Sequence, residues 1–167
     1  LMIAGMLGLK AVGIYTIIVY LTTLLSTPYV AISKVAAPLV PIHLKERNFE
    51  ALRLLYKRVS SMALIIGLFL FMCVWGNRFE LIQFLPEQFE EGMYVFLIIM
   101  IGKLWDMFMG LNGSILIASR YFRMDLFFTI LLIGIAFTLN LILIRSHGII
   151  GAAMATSISL VTLNIIR

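Results

Sequence analysis

The sequence predicts an all-α, multi-pass transmembrane helix bundle of about five spans, and three observations predict it. Hydrophobic residues make up 62% of the 167, charged residues 13%, and mean hydropathy is +1.08. A soluble domain carries about 45–50% apolar and about 25% charged residues, so too little polar surface exists here to cover an aqueous fold. The apolar residues fall into several runs near the ~20 residues needed to cross a bilayer core. Lys and Arg alternate between rich and poor connectors along the chain, as back-and-forth crossing requires.

The first span is expected over about Ala11 to Ile32, with a kink or end near Pro28, where a backbone donor is lost. Residues 33–58 then form a basic, partly amphipathic connector, holding Lys34, Lys45, Arg47, Arg53, Lys57 and Arg58 against Glu46 and Glu50. Pro38 and Pro41 break its first half. From Phe49, apolar Leu52, Leu55 and Tyr56 recur at helical spacing and predict a short interfacial helix leading onward. The second span covers about Val59 to Trp75, with Trp75 as an interface anchor. A loop from Gly76 to Gly92 follows, carrying Arg78 and Glu80, Glu87, Glu90 and Glu91, the last three expected as a solvated face. The third span runs from about Met93 to Ala118. After a short loop with Arg120, Arg123 and Asp125 come the fourth, about Leu126 to Ile144, and the fifth, about Ile149 to Ile166. The fifth is rich in small residues (Gly151, Ala152, Ala153, Ala155) that let helices approach closely in lipid.

Counting Lys and Arg by side gives nine against three, with Lys103 left inside the membrane. The positive-inside bias places residues 33–58, 119–125 and Arg167 in the cytoplasm, and Leu1–Lys10 and the glutamate-rich loop outside. The net charge of +5 and pI near 9.6 follow from these connectors and do not signal nucleic-acid binding. The single cysteine, Cys73, lies in an apolar run and reads as a buried packing thiol, with no disulfide or metal framework. His43 and His147 have no further ligand at metal spacing. No cofactor is expected. The chain opens and closes within apolar stretches and reads as a fragment of something longer.

Lys103 and Asp106 are the most informative residues, both well inside the third span. A charge at the bilayer centre costs about 2.5–3.5 kcal/mol on insertion scales. Their i, i+3 spacing puts them on one helix face. Two readings stand: a local ion pair that makes the helix insertable, or a polar face lining a cavity that accepts an anionic substrate or protons. Asp106, Gly110 and Gly113 form a stripe suited to close packing, or else to a local break; Asn112 lies off that stripe. Asn140 in the fourth span is expected to make an interhelical hydrogen bond, worth about 0.6–2 kcal/mol. Nothing in the sequence sets a nucleophile beside its base, cradles a phosphate or pairs carboxylates for acid/base work, so an enzyme is not expected.

The order of features is similar to a known family. Gly8-Leu9-Lys10-Ala11-Val12-Gly13-Ile14-Tyr15 resembles the loop-to-helix entry of bacterial polysaccharide exporters, the O-antigen and capsule flippases of the multidrug/oligosaccharidyl-lipid/polysaccharide superfamily. The likeness continues through Thr27-Pro28, Ala31-Ile32 and Ala37-Pro38 to Leu54-Leu55-Tyr56-Lys57. It resumes at Asp106 through Gly113, Ile115-Leu116 and Ser119 to Arg123, and ends at Asn140-Leu141 and His147-Gly148-Ile149-Ile150-Gly151-Ala152-Ala153. Each motif alone is weak; their order along nearly the whole chain is what is specific.

The resemblance implies that residues 1–167 are most of the second lobe of a two-lobed transporter, a polysaccharide-export C-terminal transmembrane lobe lacking its N-terminal lobe. It further implies alternating-access transport of a lipid-linked oligosaccharide of the undecaprenyl-pyrophosphate type across a bacterial inner membrane, with membrane lipids as the other partner. Lys103 is the candidate headgroup contact and Asp106 its partner or a proton-linked switch, with Asn112 and Asn140 as further candidate substrate-binding residues. The family pattern matches Asp106 better than Lys103. Alternatives are a lipid II flippase, a cation-coupled multidrug exporter, or a membrane-embedded sugar polymerase, which should carry catalytic carboxylates or Arg clusters in an outer loop.

Overall fold

A computed structural model describes residues 2–80 and 90–167, and among them every regular element is a helix. The elements are α1 (Met2–Leu7), α2 (Leu9–Ala36), α3 (Leu39–Lys45), α4 (Phe49–Gly76), α5 (Glu90–Met109), α6 (Asn112–Ala118) and α7 (Phe122–Ile166). Four stretches are long and apolar enough to cross a membrane: Leu9–Lys45, Phe49–Gly76, Gly92–Met109 and Phe122–Ile166. The last, 45 residues long, contains Gly148 at φ 59 and ψ −134, outside the helical region and open essentially to glycine. There the chain doubles back. Arg167 Nε reaches Asp125 Oδ1 at 2.7 Å, so the halves before and after Gly148 lie side by side as a helical hairpin. Gly151 makes that turn possible, since a Cβ there would collide with the Leu143 carbonyl. With the hairpin counted as two crossings, five apolar segments result, as the charge alternation requires.

Contacts between helices fix their directions. Along α5, Gly92 faces Ile14 and Ile18, Lys103 bonds Thr23, and Tyr29 bonds Gly110, so α2 and α5 run parallel. Ser157 Oγ donates to the Ile98 carbonyl at 2.6 Å and Asn164 Nδ2 to Asp106 Oδ1 at 2.8 Å, so the second half of α7 is parallel as well. By contrast Gly67 faces Leu104 and Met107, while Ser60 faces Gly110, so α4 is antiparallel. Successive spans therefore alternate in direction.

α5 is the centre. Val95, Phe96, Ile99 and Met100 are almost wholly buried, packed by Ile18 and Leu25 of α2 and by Ile149 and Ala153 of α7, and Met107 is buried against Gly67 of α4. Small residues set the spacing: a Cβ on Gly102 would sit 2.9 Å from Ser157 Cβ. A second cluster (Ala36, Val40, Leu52, Val59 and Leu111) closes the basic end.

Several expectations change. α2 does not end at Pro28 but continues to Ala36, because the ring removes one backbone bond while neighbouring turns hold the helix. Pro38 and Pro41 do not break the connector; Pro38 caps α3 and Pro41 sits in its first turn, where proline is tolerated. Arg47, at φ 55, turns the chain, and Asn48 Oδ1 accepts from Ala51 N to cap α4. From there α4 is continuous to Gly76, so the interfacial helix and the second span are one element. The third span is interrupted at Gly110 (φ 54) instead of running through to Ala118. Cys73 is exposed, not buried, since an apolar stretch in lipid has no need to hide its thiol from hydrocarbon. Glu87 falls outside the described residues, and the side chains of Glu90 and Glu91 do too.

Candidate functional site

The two charges of α5 diverge. The Lys103 ammonium donates to Thr23 Oγ1 at 3.0 Å and to Ser26 Oγ at 3.3 Å, both on α2. Those hydroxyls spend their own protons on the Val19 and Thr23 carbonyls, which leaves lone pairs for the lysine. Asp106 turns to α7, where its carboxylate accepts from Asn164 Nδ2. The local ion pair is not formed: among the described residues the salt bridges within 4.0 Å are Asp125–Arg167 and His43–Glu46. Spacing of i, i+3 permits a pair, but hydroxyls on one neighbour and an amide on the other hold the two groups apart.

Lys103 is half-buried, with Ser26 on its inner side and exposed Thr23 at the open edge. An ammonium has three N–H donors, and two are engaged here. The result is a cation that no carboxylate among the described residues meets at contact distance, at a seam that opens to the surface of the bundle. Chemically, that seam suits an anionic oxygen.

Polar contacts continue along the interior on either side of this pair. Tyr15 and Thr156 hydroxyls meet at 3.0 Å toward one end. Toward the other, Tyr29 Oη donates to the Gly110 carbonyl at 2.9 Å where α5 breaks. At the basic end Asp125 and Arg167 pair with little exposure, 11% and 18% of their side chains.

The remaining candidates are not gathered with Lys103. Asn112 opens α6, two residues beyond the break and partly exposed. Asn140 donates to the Ala136 carbonyl of its own helix at 2.8 Å, not to another helix as expected; a half-buried amide four residues from a carbonyl satisfies itself locally. His147 meets Ser146 Oγ at 2.8 Å on an exposed turn. Trp75 stacks on Phe71 and lies under the Arg78 guanidinium, an arrangement suited to an interface residue. No group of three or more His, Cys, Asp and Glu comes together among the described residues.

Thr23, Ser26 and Asn164 complete the site and were not singled out in the sequence. The hydroxyls left a signal, because Thr22, Thr23, Ser26 and Thr27 crowd one turn and a half of an otherwise apolar span. Asn164 left the same signal as Asn140, a lone amide in an apolar span, but nothing in the sequence pairs it with Asp106, 58 residues away.

No protein-family model matches the chain, and no solved structure does. Over 138 residues it is 28% identical to an uncharacterized membrane protein of Methanocaldococcus jannaschii, covering 80% of this chain and 32% of that protein. The chain thus spans about a third of the relative's length. Apolar helices of spanning length, alternating directions and similarity to a membrane protein agree: this is an all-α, multi-pass membrane protein.

Proposed function

We propose that this chain forms part of a transporter that moves a lipid-linked oligosaccharide across the cell membrane by alternating access, with Lys103 contacting the anionic headgroup. The observation that carries the reading is the state of Lys103: a cation inside a span, steadied by two hydroxyls, with no carboxylate among the described residues within 4.0 Å. An ionisable residue within a span usually faces an interior pathway, and a pyrophosphate-linked sugar offers the missing negative charge. Asp106, held by Asn164, has the position of a partner or proton-linked switch one turn away. The basic connectors face the cytoplasm and the start of the chain faces outward. Substrate would be enclosed together with a further lobe, and the energy difference between the two lobe arrangements sets direction. A lipid II flippase or a cation-coupled drug exporter remains the runner-up, separated by assaying labelled lipid-linked sugar against a cationic drug.

The test is made in cells carrying the full-length protein. Lys103→Ala should abolish surface polysaccharide while the protein still inserts in normal amount. Normal polysaccharide with Lys103→Ala would remove the lysine from the mechanism.

A further inference from the structure

Gly110 interrupts an apolar stretch that nothing in its sequence obliges to break. From Met93 to Ala118 there is no proline. Yet α5 stops at Met109 and α6 starts at Asn112, with Gly110 in the left-handed region at φ 54. The break leaves the Phe108 and Met109 carbonyls without the Asn112 and Gly113 amide donors that a continuous helix would bring them. Such losses are expensive near lipid. The Gly110 carbonyl, which lacks the Ser114 amide, is held instead across the bundle: Tyr29 Oη donates to it. Beside it the Ser60 hydroxyl packs on the Gly110 Cα, buried and with no hydrogen-bond partner.

We propose that Gly110 is a hinge and α6 a hinged flap, whose second state joins α5 and α6 into one continuous helix from Glu90 to Ala118. The two states exchange backbone hydrogen bonds for packing and a side-chain bond. The bent state keeps the Tyr29 bond and the packing of Leu111, Ile115 and Ala118 on Val40, Leu52 and Val59. The straight state gives the Leu111, Asn112, Gly113 and Ser114 amides their four helical acceptors, releases Gly110 from positive φ and frees the Ser60 hydroxyl. Near balance between two packings is what lets one element switch. In the bent state α6 lies over the basic end between α3 and α7, and Arg167 comes within 3.0 Å of where a Gly113 Cβ would be. Straightening α6 would withdraw it from that end and open the approach to Asp106. The hinge does not depend on the substrate proposed above, because the contacts that hold and release α6 all lie within the bundle.

Spin labels at Ile101 and Ile117, both exposed, measure it in the full-length protein by electron–electron distance spectroscopy. A continuous helix separates their Cα atoms by about 24 Å, at ~1.5 Å per residue; the bent form is shorter. Tyr29→Phe removes the latch and Gly110→Ala disfavours positive φ. Each should move the main distance toward about 24 Å, and the pair together should make it dominant. If the short distance persists in the folded double variant, or in folded Tyr29→Phe should the double variant not fold, the hinge is refuted. Because no oligosaccharide is present, this outcome is independent of the transport assay.

Discussion

Asp125→Asn removes one charge and little else from the basic end. In the native chain Asp125 sits in the first turn of α7, and Arg167 Nε lies 2.7 Å from its Oδ1. That contact joins residues 42 apart in sequence and closes the hairpin that turns at Gly148. Removing one partner of a buried ion pair costs about 3–5 kcal/mol, because the other charge is left unpaired. The side chains keep 11% and 18% exposure, so residual hydration sets the expectation at the lower end, about 3 kcal/mol. That is roughly a hundredfold in the unfolding equilibrium. Replacing both partners by leucine should be close to neutral, since no charge is then stranded. The assay is reversible unfolding of the full-length protein in mixed micelles, run as a double-mutant cycle. A change below about 0.5 kcal/mol for Asp125→Asn, the size of an ordinary surface substitution, would mean that the pair does not close the hairpin.

Three other outcomes are expected. Gly102→Val should destabilise by about 1–3 kcal/mol through overpacking, because even a Cβ there meets Ser157 at 2.9 Å; Gly13→Ala, with nothing within 4 Å of the added carbon, is the control and should unfold no more easily than the native chain. Cys73→Leu should shift stability by less than about 0.5 kcal/mol, because the thiol is exposed on the apolar surface; a loss above about 2 kcal/mol would return Cys73 to a packed interior. Cysteines placed at Arg53 and at Asn77 should react with an impermeant maleimide from the cytoplasmic and outer sides respectively, and the reverse pattern would invert the proposed orientation.

How much of this was legible in the sequence varies by element. Hydropathy and charge alternation found the spans and their alternating directions, since both reflect the cost of placing charge in lipid. Hydropathy did not reveal which side of a span faces the bundle, because hydrocarbon accepts apolar residues on every face; Cys73 was misplaced for that reason. Glycine is common in membrane helices, so Gly110 reads in the sequence as a packing residue first, and only its φ of 54 distinguishes a break. Pro28, the stronger sequence signal for a break, does not end its helix. Lys103 and Asp106 were conspicuous by their charge, but their partners were not. Spacing along one helix states which groups are near each other, and not which distant helix offers a better acceptor or donor.

The central claim is that Lys103 meets the anionic headgroup of a transported lipid-linked sugar. Its most direct test is the rate at which the full-length protein, reconstituted in liposomes, moves a fluorescent pyrophosphate-linked oligosaccharide between leaflets. The native protein should move it and Lys103→Ala should be slowed by at least about tenfold, equivalent to ~1.4 kcal/mol of lost headgroup interaction. Unchanged movement with Lys103→Ala, or none with the native protein, would contradict the account.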